Sequence, residues 1–303
     1  MNYLVTAIVV TFNPDIVALK NLLQKLNKQV QYVVVVDNAS DNVKQIVEIV
    51  DMRFFKFLPQ NQGIAFAQNI GIQVAKELGV ISVIFFDQDS LPCESFVKNL
   101  ISVKKKSECC GVKVSAIGPF YCDSRTSNYS FYVKSNKSCI AKVIFDAMND
   151  DICEFYECDF LISSGSLIDL TVLSLVGGMR EDFFIDGVDI EWCYRASSYG
   201  YKSIVASNVT MLHSIGDNVI NKFGRDFTIN TPIRAYYSIR NMLYLLMLPY
   251  VSSVWKRKYL SKIILVSILS IFIYPQKIKR IKALFWSCID FSIGKSGKCK
   301  HRL

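Results

Sequence analysis

The 303-residue sequence lacks three features, each of which is typical of one class of protein. Its apolar run at 263–274 falls well short of the roughly 20 residues that a membrane-spanning helix requires. No basic stretch precedes the apolar residues that follow Met1, so we expect no secretory signal. The ten cysteines show no metal-binding spacing, which predicts reduced cytosolic thiols and neither a zinc site nor a disulfide framework.

Acidic residues are scarce in the last part of the sequence. Residues 222–303 hold 16 lysines and arginines but only two carboxylates, Asp226 and Asp290. Residues 1–221 hold 19 basic and 24 acidic residues. A basic and apolar region suits an anionic surface, and because no zinc finger or RNA-binding signature is present we expect phospholipid, not nucleic acid. Basic clusters flank the run at 263–274, which favours a helix in the membrane interface, with a spanning helix and a buried helix as the alternatives.

The first hundred residues alternate between β-branched apolar runs and segments with apolar residues at helical spacing. Strands are predicted at 5–11, 32–36, 53–57 and 80–86, and helices at 16–28, 42–50 and 64–78. Further strands are expected near 112–118, 129–134 and 139–145, and a helix near 169–176. The alternation predicts an α/β fold with a single doubly wound, Rossmann-like, mostly parallel sheet, which binds ligands outside the carboxyl ends of its strands.

Two aspartates follow the fourth predicted strand. Asp87-Gln88-Asp89 comes directly after the apolar run at 80–86. Because this turn leaves a buried strand, both carboxylates can point into one crevice, where they suit Mg²⁺ or Mn²⁺ together with substrate phosphates. The alternative is a solvated turn, or a cap for the helix that starts near Pro92.

A second acidic cluster, containing Asp186, Asp189 and Glu191, lies beside aromatic residues and ahead of a predicted helix. Like charges raise one another's pKa, so the cluster suits a general base and its supporting residues. The alternative is an acidic helix N-terminus that the helix dipole stabilises, and both interpretations can hold at once. His213 is one of only two histidines; alone it suggests a structural histidine, but beside two acidic clusters it becomes a candidate metal ligand.

In their order along the chain, these segments resemble the inverting family 2 glycosyltransferases with the GT-A fold, and among them the bacterial dTDP-rhamnosyltransferases. The resemblance extends from about residue 7 to residue 241. The motifs that carry it are V-T-F-N-P at 10–14, V-D-N-A-S at 36–40, N-Q-G-I-A at 61–65, F-D-Q-D-S at 86–90, S-S-G at 163–165 and F-I-D-G-V-D-I-E-W-C-Y-R at 184–195. The motifs at 86–90 and 184–195 are much more specific than an isolated D-x-D.

The resemblance implies a nucleotide-sugar site, whose residues would be Thr11, Asn13, Asp37, Asn38, Asn61, Gly63, Asn69, Asp87 and Gln88. In this site Asp37 would accept a hydrogen bond from the pyrimidine N3–H, and Asn61, Gly63 and Asn69 would surround the ribose and the diphosphate. Asp87, Asp89 and His213 would hold Mg²⁺ or Mn²⁺. Asp189 matches the position of the catalytic base, and Glu191 the acidic residue just behind it.

The implied function is transfer of a sugar, with L-rhamnose from dTDP-L-rhamnose expected, to a lipid-linked oligosaccharide in O-antigen or lipopolysaccharide assembly. A UDP-hexose or UDP-galactofuranose donor, or a non-catalytic nucleotide-sugar-binding scaffold, are the alternatives. The expected location is cytoplasmic, at the inner face of the bacterial plasma membrane. The expected organisation is a GT-A catalytic domain at 1–221, with a nucleotide-sugar half at 1–103 and an acceptor half at 104–221, and a helical, membrane-associating extension at 222–303.

Overall fold

The computed structural model describes residues 4–122, 129–136, 138–144, 153–212, 218–222 and 225–303. Its strands are β1 Val5–Thr11, β2 Tyr32–Asp37, β3 Phe55–Phe57, β4 Ser82–Asp87, β5 Leu91–Pro92, β6 Val114–Cys122, β7 Phe131–Ser135, β8 Ile140–Ile144, β9 Phe155–Cys158, β10 Leu167–Asp169, β11 Lys202–Leu212, β12 Asn218–Lys222 and β13 Arg225–Ile229. Its α-helices are α1 Ile16–Leu26, α2 Val43–Val47, α3 Ile64–Glu77, α4 Phe96–Cys109, α5 Leu170–Val176, α6 Val188–Ser198, α7 Pro232–Met247, α8 Ser253–Ile273 and α9 Lys277–Ser292. The strands and helices predicted from the apolar pattern are thereby confirmed, with ends displaced by a few residues.

The central sheet has nine strands, eight of which follow the order β3-β2-β1-β4-β10-β6-β11-β5, while β9 pairs with β11. β2, β1 and β4 are uncharged until their last residues and almost completely buried, as expected for strands that helices cover on both faces. β3, β2, β1 and β4 are parallel, and β10 inserts antiparallel between β4 and β6. The prediction of an α/β fold with one mostly parallel sheet is confirmed.

Three neighbouring parallel strands bring their carboxyl ends to the same edge of the sheet. Thr11 at the end of β1 pairs in register with Asp37 at the end of β2, and Asp87 ends β4 on the other side of β1. The short strand β10 pairs with β4 through Leu167 and Ile84, and this pairing brings the residues just before β10 to the same region. The polar residues that follow these strands therefore face one crevice.

The helices of the last part of the chain share the core of the sheet domain. Leu245 of α7 and Trp255 of α8 are fully buried and belong to the same apolar cluster as the strands. Trp255 packs edge-on against Phe160 and Tyr194. The predicted domain division after residue 221 falls inside β12, so the change in composition there does not coincide with the end of an element.

The apolar run at 263–274, which the sequence analysis predicts to lie in the membrane interface, is helical as far as Ile273, where α8 ends. Within the described part of the chain, none of the helices combines the length and the hydropathy that crossing a bilayer demands.

Candidate active site

The ends of β1 and β2 form a polar corner, which we call the β1–β2 corner (residues 11–13 and 37–41). Asp37 is fully buried and accepts hydrogen bonds from the Thr11 hydroxyl at 2.8 Å and from both the backbone N–H, at 2.9 Å, and the hydroxyl of Ser40. The backbone N–H of Asn13 donates to the Ser40 hydroxyl at 2.8 Å, and the Asn13 side chain accepts from the N–H of Asp41 at 2.7 Å. Two polar loops are thereby fixed to each other.

A second set of amide contacts connects this corner to the start of α3. The Asn38 side chain donates to Asn61 Oδ1 at 3.1 Å and accepts from the N–H of Gln62 at 2.9 Å. Asn61 Oδ1 also accepts from the N–H of Gly63 at 3.0 Å. The predicted binding residues Asn38, Asn61 and Gly63 are thus brought together at the N-terminus of a helix, a position where backbone N–H groups favour anionic ligands.

Gly63 is required at its position. Its φ of +92° is unfavourable for other residues, and a Cβ there would lie 2.5 Å from the carbonyl oxygen of Phe184. The same carbonyl accepts a hydrogen bond from the N–H of Ile64 at 2.8 Å. The start of α3 therefore touches the second acidic cluster, 120 residues further along the chain.

Asn69 occupies the middle of α3, and its contacts hold a loop. Its Nδ2 donates to the Met179 carbonyl at 2.9 Å and to the Glu181 carboxylate at 2.8 Å, and its Oδ1 accepts from the Met179 N–H at 2.8 Å. The structure thus gives Asn69 a scaffolding position, and its expected part in shaping the pocket around the ribose and diphosphate stays a prediction.

The turn after β4 carries the first pair of aspartates. Asp87 is half-buried, and its backbone N–H donates to Ser164 Oγ at 3.1 Å. Asp89 is exposed. The Gln88 side chain makes two hydrogen bonds with the backbone of Phe12, one from the Phe12 N–H at 2.8 Å and one to its carbonyl at 3.2 Å. Gln88 thereby holds the ends of β1 and β4 together beside the aspartates.

Asp186 and Asp189 of the second acidic cluster lie in what we call the acidic segment (residues 182–189), which leads into α6. Asp189 occupies the first turn of α6, is partly buried, and accepts a hydrogen bond from the N–H of Ile190 at 2.9 Å. Burial raises the pKa of Asp189 to about 6, and the negative charges of Asp186 and Asp87 contribute to the increase against the opposing backbone hydrogen bonds. A carboxylate with this pKa is suited to accept a proton near neutral pH.

Glu191 has a different environment from Asp189. It is 1% exposed, and Arg195 binds it through two hydrogen bonds of 2.9 Å, while the Tyr250 hydroxyl donates to it at 2.5 Å. Arg195 also donates to the carbonyls of Val176 and Gly178, at 2.7 Å each. Glu191, which the resemblance groups with the catalytic residues, is thus held in α6 by Arg195 and Tyr250, and its place among the catalytic residues stays a prediction.

The backbone of the acidic segment adopts conformations that few side chains favour. Phe184 and Asp186 each have a φ of +65°, and Gly187 follows with a φ of +81°. A non-glycine residue in this region costs about 1–3 kcal/mol and persists only where its surroundings enforce it. Phe184 is held by ring stacking on Tyr237 of α7, with 4.8 Å between the ring centroids.

Two adjacent residues of α7 hold the acidic segment from behind. Asn241 is fully buried, and its Nδ2 donates to the carbonyls of Phe183, Ile185 and Asp186 at 2.7, 2.8 and 2.9 Å. Arg240 is also fully buried and donates to the Asn241 side chain at 3.0 Å and to the Phe183 carbonyl at 3.3 Å. These hydrogen bonds satisfy carbonyls that an irregular backbone would otherwise leave buried without donors.

Residues after α9 complete this support. The Gly297 N–H donates to the Asp182 carbonyl at 2.6 Å, and the Gly297 carbonyl accepts from Arg240 at 2.7 Å. His301 stacks on Trp286, with 3.9 Å between the ring centroids, and lies 2.8 Å from the Asp290 carboxylate. The basic last region is therefore an integral part of the candidate site's support.

The structure brings most of the predicted site residues to one edge of the sheet. Among the residues that it describes, no three His, Cys, Asp or Glu side chains converge to hold a metal ion, and the predicted ligand His213 lies outside them. The sequence analysis missed Arg240, Asn241, Tyr250 and Gly297. The adjacent Arg and Asn, directly before the apolar run at 242–247, were the available signal, because buried polar residues need partners.

Comparisons with known proteins agree with this architecture. The model of a family described as Glycosyl transferase family 2 matches residues 6–171. One relative, dTDP-rhamnosyl transferase RfbF of Shigella flexneri, is 34% identical over 247 residues, which is 81% of each chain.

Two solved structures share the fold. TarS 1-349 of S. aureus in complex with UDP-GlcNAc has a TM-score of 0.56 and 16% identity, over 96% of this chain and 80% of that one. GalNAc-T7 with UDP, GalNAc and Mn²⁺ has a TM-score of 0.54 and 13% identity, over 95% of this chain. This chain spans 56% of the GalNAc-T7 chain, little more than half its length. At these identities, both structures support the fold alone.

Proposed function

The chain belongs to glycosyltransferase family 2, and from this membership we propose that it transfers L-rhamnose from dTDP-L-rhamnose to a hydroxyl group of a lipid-linked glycan. The observation that carries the donor assignment is the 34% identity to a dTDP-rhamnosyl transferase over 81% of both chains. Assembly of O-antigen or a related lipopolysaccharide is the setting that fits such a donor and acceptor.

The β1–β2 corner and the start of α3 are proposed to bind the nucleotide. Asn38, Asn61 and Gly63 surround the helix N-terminus that would receive the diphosphate. The role proposed for Asp37 as acceptor from the pyrimidine N3–H uses the oxygen Oδ2, which accepts one hydrogen bond from protein, whereas Oδ1 accepts two. A carboxylate oxygen has capacity for a second donor.

Asp189 is the proposed general base. Its pKa of about 6 keeps it mainly ionised at neutral pH and still basic enough to remove a proton from an acceptor hydroxyl as that oxygen attacks the anomeric carbon. Attack from the face opposite the leaving diphosphate inverts the anomeric configuration in one displacement. Glu191 is proposed to support the base from behind, where Arg195 and Tyr250 hold its carboxylate.

The donor set at the end of β4 fits a divalent cation. Asp87 and Asp89 offer carboxylate oxygens on one turn, and Mg²⁺ and Mn²⁺ accept one or two carboxylates together with substrate phosphates. We propose that these two residues, with His213, hold the cation. When bound, it supplies positive charge that stabilises the leaving diphosphate.

A donor screen tests the proposal. The purified protein, with Mn²⁺ or Mg²⁺ present, is incubated with dTDP-L-rhamnose, a UDP-hexose or UDP-galactofuranose and a lipid-linked acceptor, and product formation is followed by mass spectrometry. We expect turnover with dTDP-L-rhamnose, its loss in EDTA, and inverted anomeric configuration by NMR. Turnover of a UDP-sugar and not of dTDP-L-rhamnose would refute the donor assignment while leaving sugar transfer intact.

Membrane contact is also proposed, at the cytoplasmic face of the plasma membrane and without a spanning helix. It is supported by the excess of 16 lysines and arginines over two carboxylates in residues 222–303. Contact with the membrane would bring the active site to a lipid-linked acceptor.

A further inference from the structure

Helix α9 has an unusual distribution of polar and apolar side chains. The side that packs against the rest of the protein consists of Arg280, Ala283, Ser287 and Asp290, each at most 5% exposed. Asp290 accepts a hydrogen bond from the Tyr236 hydroxyl of α7 at 2.5 Å, and Arg280 donates to the carbonyl of Asn230 at 2.9 Å. The inner face of α9 is therefore mostly polar and satisfied by specific hydrogen bonds.

The outer face of α9, which we call the apolar face, consists of Ile278, Ile281, Phe285 and Cys288. Their spacing of three and four residues places them on one side of the helix, opposite the inner face. Ile278, Ile281 and Phe285 are 73%, 50% and 57% exposed. A shallow groove of about 550 Å³ continues this face and is lined by Ile281, Leu284, Phe285, Cys288, Ile289, Ser292 and Ile293.

This arrangement is the reverse of what a helix on a water-soluble domain shows. Such a helix directs its apolar stripe towards the core and its polar side towards water. Single exposed apolar residues are common, but a contiguous apolar stripe on one helix indicates a binding surface. The apolar face of α9 therefore indicates an apolar partner.

The charges around the apolar face identify the chemistry of that partner. Lys277, Lys279 and Lys282 are exposed on α9, with Lys277 and Lys282 on opposite flanks of the apolar face. Asp290, the acidic residue of the described stretch 230–303, is 1% exposed, so no acidic side chain of that stretch reaches this surface. Apolar side chains between exposed lysines match the interface of an anionic bilayer, where acyl chains lie below phosphate groups.

We infer that the apolar face of α9 lies in the headgroup region of an anionic phospholipid bilayer, with Ile281 and Phe285 inserted and the flanking lysines at the phosphates. This inference deepens the proposed membrane contact and rests on it, because it names the surface that makes the contact. It also differs from the sequence-based expectation, which placed the contact on the apolar run at 263–274.

The surface is coupled in position to the candidate active site. α9 packs against α7, and α7 carries Arg240 and Asn241, which hold the acidic segment. If α9 lies on a bilayer, α7 connects it to the acidic segment that carries the proposed base. The candidate active site would then lie at a fixed distance from the lipid surface.

Vesicle flotation tests the inference. The full-length protein, the double variant Ile281→Ser with Phe285→Ser, and the control variant Ile81→Ser are mixed with vesicles of phosphatidylcholine containing about one third phosphatidylglycerol. Ile81 is a matched control because it is 59% exposed and lies just before β4, far from α9 in the sequence. We expect the partition coefficient of the double variant onto the vesicles to be at least about tenfold lower than that of the unsubstituted protein. The control variant should bind the vesicles as the unsubstituted protein does.

Transfer activity, the pattern of flotation and light scattering together distinguish membrane binding through α9 from misfolding, from membrane binding through another surface and from dimer formation. Transfer to a water-soluble acceptor, unchanged in the double variant, establishes that the variant is folded. Equal flotation of the double variant and the unsubstituted protein would overturn the assignment to α9 while membrane contact stands, and no flotation of either would refute membrane contact itself. If the unsubstituted protein is dimeric in light scattering and the double variant is monomeric, the apolar face binds a second copy of the chain and the inference is wrong.

Discussion

The β1–β2 corner and the acidic segment both present carboxylates to the same crevice, but they are held in different ways. Both contain non-glycine residues with positive φ: Asn13 and Ala39 in the corner, Phe184 and Asp186 in the segment. In the corner, the hydrogen bonds of Asp37 come from residues at most 26 positions away. In the segment, the supporting donors lie in α7 and after α9, 55 to 115 residues away.

The comparison teaches that the proposed nucleotide corner holds its carboxylate mainly with nearby residues, whereas the segment that carries the proposed base is held from distant ones. The corner satisfies its buried carboxylate with three hydrogen-bond donors from nearby residues. The segment keeps Asp189 partly buried near like charges, and its raised pKa means that the folded state resists ionising it. The hydrogen bonds that hold the segment's carbonyls therefore come from farther along the chain than those that hold Asp37.

The largest expected effect comes from Asp189→Asn. Loss of the base should reduce kcat by about 10²–10⁴-fold, while binding of dTDP measured by calorimetry stays within about twofold. The folded state raises the pKa of Asp189, so at pH 8 its ionisation costs stability that is regained as pH falls through 6 towards 4. The amide should therefore raise the free energy of unfolding at pH 8 by about 1–3 kcal/mol, measured in urea. Full activity of the variant would remove Asp189 from the base role.

Asn241→Leu should have the next largest effect. It removes the donor to three carbonyls of the acidic segment and should lower the free energy of unfolding by about 2–5 kcal/mol. We expect kcat to fall by about 10- to 100-fold because Asp189 is displaced. The matched exchange Asn38→Leu, in the corner, should instead raise KM for the donor. Equal losses of kcat in both variants would contradict the distinction between the two regions.

The pH dependence of transfer should report on the acidic segment. Since Asp189 acts in its ionised form, kcat/KM should fall about tenfold per pH unit below pH 6 and reach a plateau above it. Asp186→Asn removes a negative charge that raises this pKa, so the midpoint should move to lower pH. Asp182→Asn is the control, because Asp182 belongs to the same segment but is not one of the main charges that raise the pKa of Asp189, so the midpoint should stay in place. An unchanged midpoint in Asp186→Asn would contradict the electrostatic coupling.

The smallest effect is expected from Thr11→Val in the corner. Valine has nearly the same shape as threonine but removes one of three hydrogen bonds to Asp37. We expect a loss of stability of about 1–2 kcal/mol, measured by urea unfolding, and weaker binding of dTDP, with the pH profile of transfer unchanged. A shift of that profile would mean that the two regions act on Asp189 together.

The difference between local and distant hydrogen-bond partners also explains which parts of the fold and of the candidate site could be predicted from the sequence. The strands β1, β2 and β4 are short apolar runs that end in Thr11, Asp37 and Asp87, so their place at one edge of a parallel sheet follows from the pattern. Nothing in residues 182–189 indicates that Asn241 or Gly297 would satisfy their carbonyls, because the pairing is decided by tertiary packing. The scaffolding position of Asn69 was hidden for the same reason.

Helix α9 could be predicted as a helix but not in its orientation. The spacing of Ile278, Ile281 and Phe285 is the pattern that ordinarily marks a core-facing side. The packing reverses it, since Tyr236 and Asn230 offer hydrogen-bonding partners to Asp290 and Arg280 on the opposite side. Periodicity gives the two sides of a helix, and only the neighbouring elements decide which side is inside.

The hydrogen bond from Gly297 to the Asp182 carbonyl has a consequence for how the protein is made. The two residues are 115 positions apart, and at about 5–20 residues per second a ribosome needs roughly 6–23 seconds to synthesise the chain between them. During that time the β1–β2 corner already has its hydrogen-bond partners Ser40 and Gln88, while the acidic segment has neither α7 nor Gly297 to shape it. A nascent chain would therefore form the proposed nucleotide corner before the segment that carries the proposed base reaches its final conformation.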